Sequence, residues 1–154
     1  MRRKQITVAL TAAMMFVGLT ASAHGQGAKG PKPLSLYQRL GGYDGLAAIF
    51  DDVAPRMAAD PELARFFTGH STDSDLRQRQ RLLELLCQET GGPCVYTGLP
   101  LKKAHGGLGI SESQWKTFQK HLTATLDHLK IGAKEKGELL AIVGGYKADI
   151  VEKQ

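Results

Sequence analysis

From Ser35 onward the apolar residues recur at steps of three and four, the spacing of one face of an α-helix. SLYQRLGG, residues 35–42, reads as a short helix closed by Gly41-Gly42. In DGLAAIFDDVAPRMAA, residues 44–59, Leu46, Ile49, Phe50, Val53 and Met57 share one side, and Pro55 is expected to end or kink the helix. Asp60-Pro61-Glu62 starts another short helix, an N-cap Asp followed by proline at the first helical position, which carries Phe66 and Phe67. TGHSTDSD, 68–75, reads as a polar loop, and LRQRQRLLELLCQE, 76–89, as a helix whose apolar band is Leu82, Leu83, Leu85 and Leu86. Ser111 and Gln114 form a capping box ahead of a helix bearing Trp115, Phe118, Leu122, Leu126 and Leu129. A final helix after Gly132 carries Leu139, Leu140, Val143, Tyr146, Ile150 and Val151. Gly144-Gly145 inside it weakens its propensity and would allow close packing. Strand-like alternation is nearly absent, so the fold class is all-α, with about four longer helices and two or three short ones.

The first 23 residues stand apart from this pattern. Arg2, Arg3 and Lys4 precede the apolar run ITVALTAAMMFVGLTA, and Ala21-Ser22-Ala23 is a small-residue cleavage site, the organisation of an export signal. An uncleaved membrane anchor is the alternative, with a run near the lower length limit for a span. Residues 24–34, rich in Gly, Pro and Lys, read as a flexible lead-in, and 35–154 as one domain. Removing residues 1–23 takes away three basic residues and no acidic ones. Lys+Arg then falls from 20 to 17 against 15 Asp+Glu, leaving +2. The basicity of the whole chain is thus largely a targeting charge and does not argue for a nucleic-acid partner, which would need a basic stripe. Export places the protein in the periplasm, with no stable membrane anchor once the signal is removed. Cys87 and Cys94 then meet oxidising conditions: either they form a disulfide across a short loop, or they remain two free thiols. No C-x-x-C-H run is present, so c-type covalent haem attachment is excluded.

TGGPCVYTGLPLKKAHGGLGI, residues 90–110, interrupts the helical pattern with six glycines, two prolines and one histidine, His105. Long connections of this kind inside a compact helical domain are usually functional or disordered. Leu101 to His105 can form one helical turn, which Gly106-Gly107 would end, and Ile110 re-enters the core. A neutral imidazole presented inward from such a turn is a good iron ligand, and one such ligand suffices to hold haem. A lone histidine beside glycines is also the common pattern of a surface or cap residue.

Several strings occur in the order found in a known family: SLYQRLGG, DPELARFF, GGPCVYTG followed by LKKAHGGLGI, and the tail GELLAIVGGYKADIV. On these residues the chain resembles the truncated haemoglobins of group 1, over roughly 35–152. The resemblance implies a truncated globin-like two-on-two helical sandwich holding haem b. His105 matches the proximal iron ligand, with its second ring nitrogen bonded to a nearby backbone carbonyl. Tyr96 matches a residue that bonds a haem propionate, and Phe67 one of the paired phenylalanines over the haem. Where the family often has a Phe-Tyr pair in its second helix, this chain has Val53-Ala54, so the tyrosine hydroxyl that would hold a bound gas is missing at Ala54.

Between Phe67 and Gly91 the chain is about three residues longer than many relatives, which leaves two registers for residues 76–87. With the extra residues in the polar loop, Gln78 takes the first distal position, Arg81 the propionate-facing one, Leu82 the second distal position and Leu86 a deeper one. With the extra residues after the helix, Asp75 and Arg79 would face the haem, a costly place for charge. The first register is the one adopted. Leu101, Ile110, Trp115 and Phe118 join the expected haem wall, while Lys102 and Lys103 either neutralise propionates or are simply solvated. His121 and His128 are expected to be exposed. His70 would be a sixth ligand only if its loop folded inward.

The resemblance implies binding of O2, NO or CO. Oxygen transport and NO detoxification are the expected roles. NO dioxygenation would need an external reductant, because no reductase domain is legible. The alternatives are a peroxidase-like haem enzyme, which lacks a motif-placed distal acid/base, and a haem carrier of the cell envelope.

Overall fold

The computed structural model describes residues 32–153. The expected export signal, 1–23, and residues 24–31 of the expected lead-in lie outside the described residues. Seven α-helices follow in order: α1 (Leu36–Arg39), α2 (Gly42–Ala59), α3 (Thr72–Glu89), α4 (Leu101–His105), α5 (Glu112–His128), α6 (Ala133–Gly144) and α7 (Lys147–Ile150), with a 3-10 turn at Ala64–Phe66 between α2 and α3. The only β structure among the described residues is an isolated bridge between Ser111 and Lys153. No helix among the described residues is long and apolar enough to cross a membrane.

Three of these helices, α1, α3 and α5, begin where a side chain satisfies a first-turn amide. Ser35 with Gln38 and Ser111 with Gln114 form complete capping boxes at α1 and α5. Helix α3 starts at Thr72, inside the stretch expected to be loop. The Ser71 hydroxyl accepts from the Ser74 amide, and Asp73 and Asp75 place negative charge in the first turn. Helix α2 runs through Pro55 without ending. Asp52 and Arg56 are joined across the proline at 2.7 Å, and α2 is packed by both α3 and α5. Those contacts outweigh the one main-chain bond that proline forgoes. The expected short helix after Asp60 is a turn: the amides of Leu63 and Ala64 both donate to the Asp60 carbonyl and lead into the 3-10 segment. At the other end of the chain Gly144-Gly145 closes α6 instead of lying within one helix, and nothing stands close to Gly144.

Helix α2 lies against α3 and α5, α5 against α6, and α1 joins α2 to α6. At the crossing, Leu46 and Ile49 of α2, Leu83 and Cys87 of α3, Leu122 and Leu126 of α5, and Leu139 of α6 form one apolar cluster, capped by Leu36 and Leu40. Thr125 is also fully buried there. Its hydroxyl donates to Asp52 at 2.6 Å, and Arg56 and His128 donate to the same carboxylate. The Arg56 hydrogen bond, then that of Thr125, holds the Asp52 carboxyl far below the ordinary carboxylate range.

Cys87 and Cys94 form a disulfide, with Cα atoms 5.7 Å apart, which closes the end of α3 onto the following loop. The loop is tight at that point. A Cβ on Gly92 would stand 2.7 Å from both the Cys87 sulfur and the Tyr37 ring, so only glycine fits.

Candidate functional site

The segment around His105 is built differently from the helical crossing. Helix α4 is a single turn of five residues that follows Pro100 and ends at Gly106. None of its residues is buried, and it packs on α7. The His105 ring is half-buried, and its Nδ1 lies 2.9 Å from the Leu101 carbonyl oxygen, one turn back. A carbonyl can only accept, so Nδ1 carries a proton, and in the neutral ring the lone pair resides on Nε2. The ring is thereby fixed in the tautomer and plane that leave one nitrogen available as a ligand.

The chain then turns back through Gly107 and Gly109, both at positive φ, 84° and 61°. The Glu152 carboxylate, just past α7, accepts from the Gly107 amide at 2.7 Å and the Gly109 amide at 2.6 Å. Those two amides hold its carboxyl below the usual value. The Arg65 guanidinium donates to the Leu108 carbonyl at 3.0 Å and lies 4.2 Å over the ring of Phe66. The amides of Glu152 and Lys153 both donate to Ile110, and the Glu112 amide donates to Lys153.

The apolar side chains expected near this site fall into two sets. Ile110 and Trp115 are buried, with Trp115 tilted against Phe118 at a ring separation of 5.3 Å. Phe67, Leu82, Leu86, Leu101 and Phe118 are only half-buried. Leu86 and Phe118 border the core cluster, and Phe67, Leu82 and Leu101 lie outside it. Helix α3 turns Leu83 and Cys87 fully into the core, which leaves Leu82 and Leu86 on the adjoining stripe. On α2, Val53 is buried and Ala54 half-buried.

The polar candidates are placed less uniformly. Gln78 is exposed. Arg81 donates to Glu84 at 2.8 Å and also to Thr97, tying α3 to the loop before α4. The Tyr96 hydroxyl donates to the Leu99 carbonyl at 2.7 Å, so in this arrangement its proton is committed to the main chain and not free for a propionate. Lys102 and Lys103 are exposed. His70 is exposed beside Asp75, with Nδ1 3.4 Å from the carboxylate. Arg79 grips Asp51 of α2 with two bonds of 2.7 Å. His128 is exposed as expected, but His121 is not. Its ring lies 2.8 Å from Asp60, and that bond holds the Asp60 carboxyl below its usual value. Among the described residues no group of three or more His, Cys, Asp or Glu side chains converges on a metal-sized point.

Sequence reasoning missed Glu152 and Arg65. Each reaches the loop from more than forty residues away, and no local spacing marks either one.

A family model for the bacterial-like globins matches residues 35–151. Over 119 residues the chain is 31% identical to the group 1 truncated haemoglobin GlbN of Nostoc commune, a match covering 77% of this chain and 98% of that protein. It is 29% identical over 119 residues to the protein of the same description from Mycolicibacterium paratuberculosis, covering 77% of this chain and 85% of that one. Among solved structures, the truncated haemoglobin of Tetrahymena pyriformis in its Fe(III) form superposes with a TM-score of 0.70 at 25% identity, covering 78% of this chain and all of that one. The 2/2 haemoglobin of Synechococcus sp. PCC 7002, in the cyanomet state with covalently attached haem, shares the fold with a TM-score of 0.70 at 22% identity, covering 77% of this chain and 98% of that one. The chain belongs to the bacterial-like globins and, within them, to the group 1 truncated haemoglobins.

Proposed function

We propose that the protein holds haem b without a covalent bond, with His105 as the iron's protein ligand, and takes a diatomic gas (O2, NO or CO) on the opposite side. The observation that carries this reading is the His105 ring, whose Nδ1 proton is spent on the Leu101 carbonyl while Nε2 keeps its lone pair. The apolar surface left half-covered at Phe67, Leu82, Leu86, Leu101 and Phe118 fits a flat apolar group. Bound haem would supply an iron able to take up a gas. The chain's own part is to orient the imidazole, exclude water with these side chains and offer few polar partners to the gas.

Support for the adopted register of α3 comes from Asp75 and Arg79. Arg79 is held by two bonds to Asp51, and Asp75 is exposed beside His70, so neither is placed to line an apolar pocket. In that register Gln78 is the polar residue nearest the gas, and Ala54 supplies no hydroxyl. Oxygen loss is therefore expected to be faster than in relatives with a tyrosine at that position, and Ala54→Tyr is expected to slow it. Stopped-flow release from the ferrous protein measures this, and an unchanged or faster rate in Ala54→Tyr overturns the distal assignment.

The deciding experiment is a set of absorption spectra of the haem-loaded protein, ferric, ferrous and ferrous-CO, for the wild type and His105→Ala. A histidine-ligated b-haem spectrum that the variant loses is the expected outcome. An unchanged spectrum in the variant, or no haem uptake by the wild type, overturns the reading. A low-spin ferrous spectrum would instead bring His70 in as a sixth ligand. Residues 1–23 further support export, so the working site is the periplasm, where the protein would transport oxygen or remove NO with an external reductant.

A further inference from the structure

Helix α4 has little of its own to hold it. It is one turn long and none of its residues is buried. Leu108, in the loop that follows, is 42% exposed. The loop carries two glycines at positive φ, a conformation that apolar burial does not enforce here. What fixes it is polar and comes from two distant places. Glu152 accepts from the amides on both sides of Leu108, and Arg65 donates to the carbonyl between them. The main chain of 152–153 adds bonds to Ile110 and Glu112.

The first amide gripped belongs to the second residue after His105, so a rotation of α4 about its axis must stretch a charge-assisted bond. Arg65 also lies over Phe66, next to the Phe67 of the expected haem cover. One side chain therefore touches both Phe66 and the loop behind the histidine.

From this arrangement, which rests on the haem reading above, we propose that Glu152 and Arg65 are positioning residues that together set the orientation of the His105 imidazole toward the iron. They act through the 107–109 backbone and touch neither the iron nor the gas. Glu152 is the stronger partner, because its two bonds, at 2.7 and 2.6 Å, are shorter than the 3.0 and 3.4 Å bonds of Arg65.

The test uses the haem-loaded protein and four variants: Glu152→Ala, Glu152→Gln, Arg65→Ala and, as a control, Lys147→Ala, which breaks the α7 pair with Glu112 at 2.8 Å but leaves the loop alone. Two readouts are taken. Hydrogen exchange of residues 106–110 is expected to speed up at least about tenfold in Glu152→Ala, the loss of a bond to a charged group. It should speed up less in Glu152→Gln, which keeps an acceptor. The iron–histidine stretching band of the ferrous protein is expected to shift or broaden in Glu152→Ala and Arg65→Ala and to stay in place in Lys147→Ala. Faster exchange with an unmoved band would show that Glu152 merely docks the tail, which overturns the proposal. An equal band shift in Lys147→Ala overturns it as well, as a general loosening of α7. Failure of the haem reading would be seen separately, as a His105→Ala spectrum identical to the wild type.

Discussion

The helical crossing and the His105 segment are held together by different forces. Where α2, α3, α5 and α6 meet, Leu46, Leu83, Leu126 and Cys87 are completely buried, and the elements around them are long enough to bury a continuous apolar stripe. Around His105 the helix has five residues, none buried, and a carboxylate and a guanidinium from distant parts of the chain grip the backbone of the loop that follows it. The first region is stabilised by apolar area removed from water, which is non-directional and tolerates small displacements. The second is stabilised by directional hydrogen bonds, which define an angle. That suits the proposed role of His105, whose ring must then face one way, and it leaves apolar surface uncovered for the proposed haem.

The contrast can be broken most directly at the core. Leu126→Ala is expected to cost ~2–5 kcal/mol, read from denaturant unfolding of the haem-free chain. The same substitution at the half-exposed Leu101 is expected to cost less than about 1 kcal/mol in that chain. Equal losses would mean that the two regions share one core. Next in size is the disulfide that joins the end of α3 to the loop leading toward α4. Cys94→Ser is expected to lower stability by about 2 kcal/mol, because it frees a short loop in the unfolded chain. A reductant should shift the thermal midpoint of the wild type but not that of the variant. If reductant leaves the wild type untouched, the bridge contributes nothing to the fold.

The smallest expected effect concerns Asp52, the charged group set against the core. Its carboxyl is depressed in the fold, chiefly by Arg56, so its contribution is fully present above the unfolded carboxylate value near pH 4. That contribution fades as the pH falls through the lower folded value. Thermal midpoints should therefore drop on acidification below about pH 4. Asp52→Asn should start less stable at neutral pH and show a shallower acid loss. A variant with the same acid slope as the wild type would place the acid sensitivity elsewhere, with Asp60 and its His121 partner as the next pair to change.

Much of this was readable from the chain, because the causes are local. The steps of three and four that carry Trp115, Leu122 and Leu126 reappear as the buried stripe of α5, and Ser111 caps it with Gln114. The His105 turn, its closing glycines and the family strings lie in one short stretch. Where the reading missed, the deciding contact was long-range or a balance of local terms. Ser71, Asp73 and Asp75 look like loop residues until they are seen to start α3. Pro55 looks like a stop until the packing around α2 and the Asp52–Arg56 pair carry the helix past it. His121 looks exposed until Asp60 is brought to it from sixty-one residues away.

The sequence alone determined most of the helices, the family and which histidine the proposed haem site would use. Periodicity, capping and motif all act over a few residues. Only the tertiary structure decided that Cys87 and Cys94 pair, that Thr125 goes into the core with Asp52, and that Glu152 and Arg65 hold the loop behind His105. The physical reason is that a side chain's hydrogen-bond partner depends on where the backbone returns in space, and chain order does not encode that return locally.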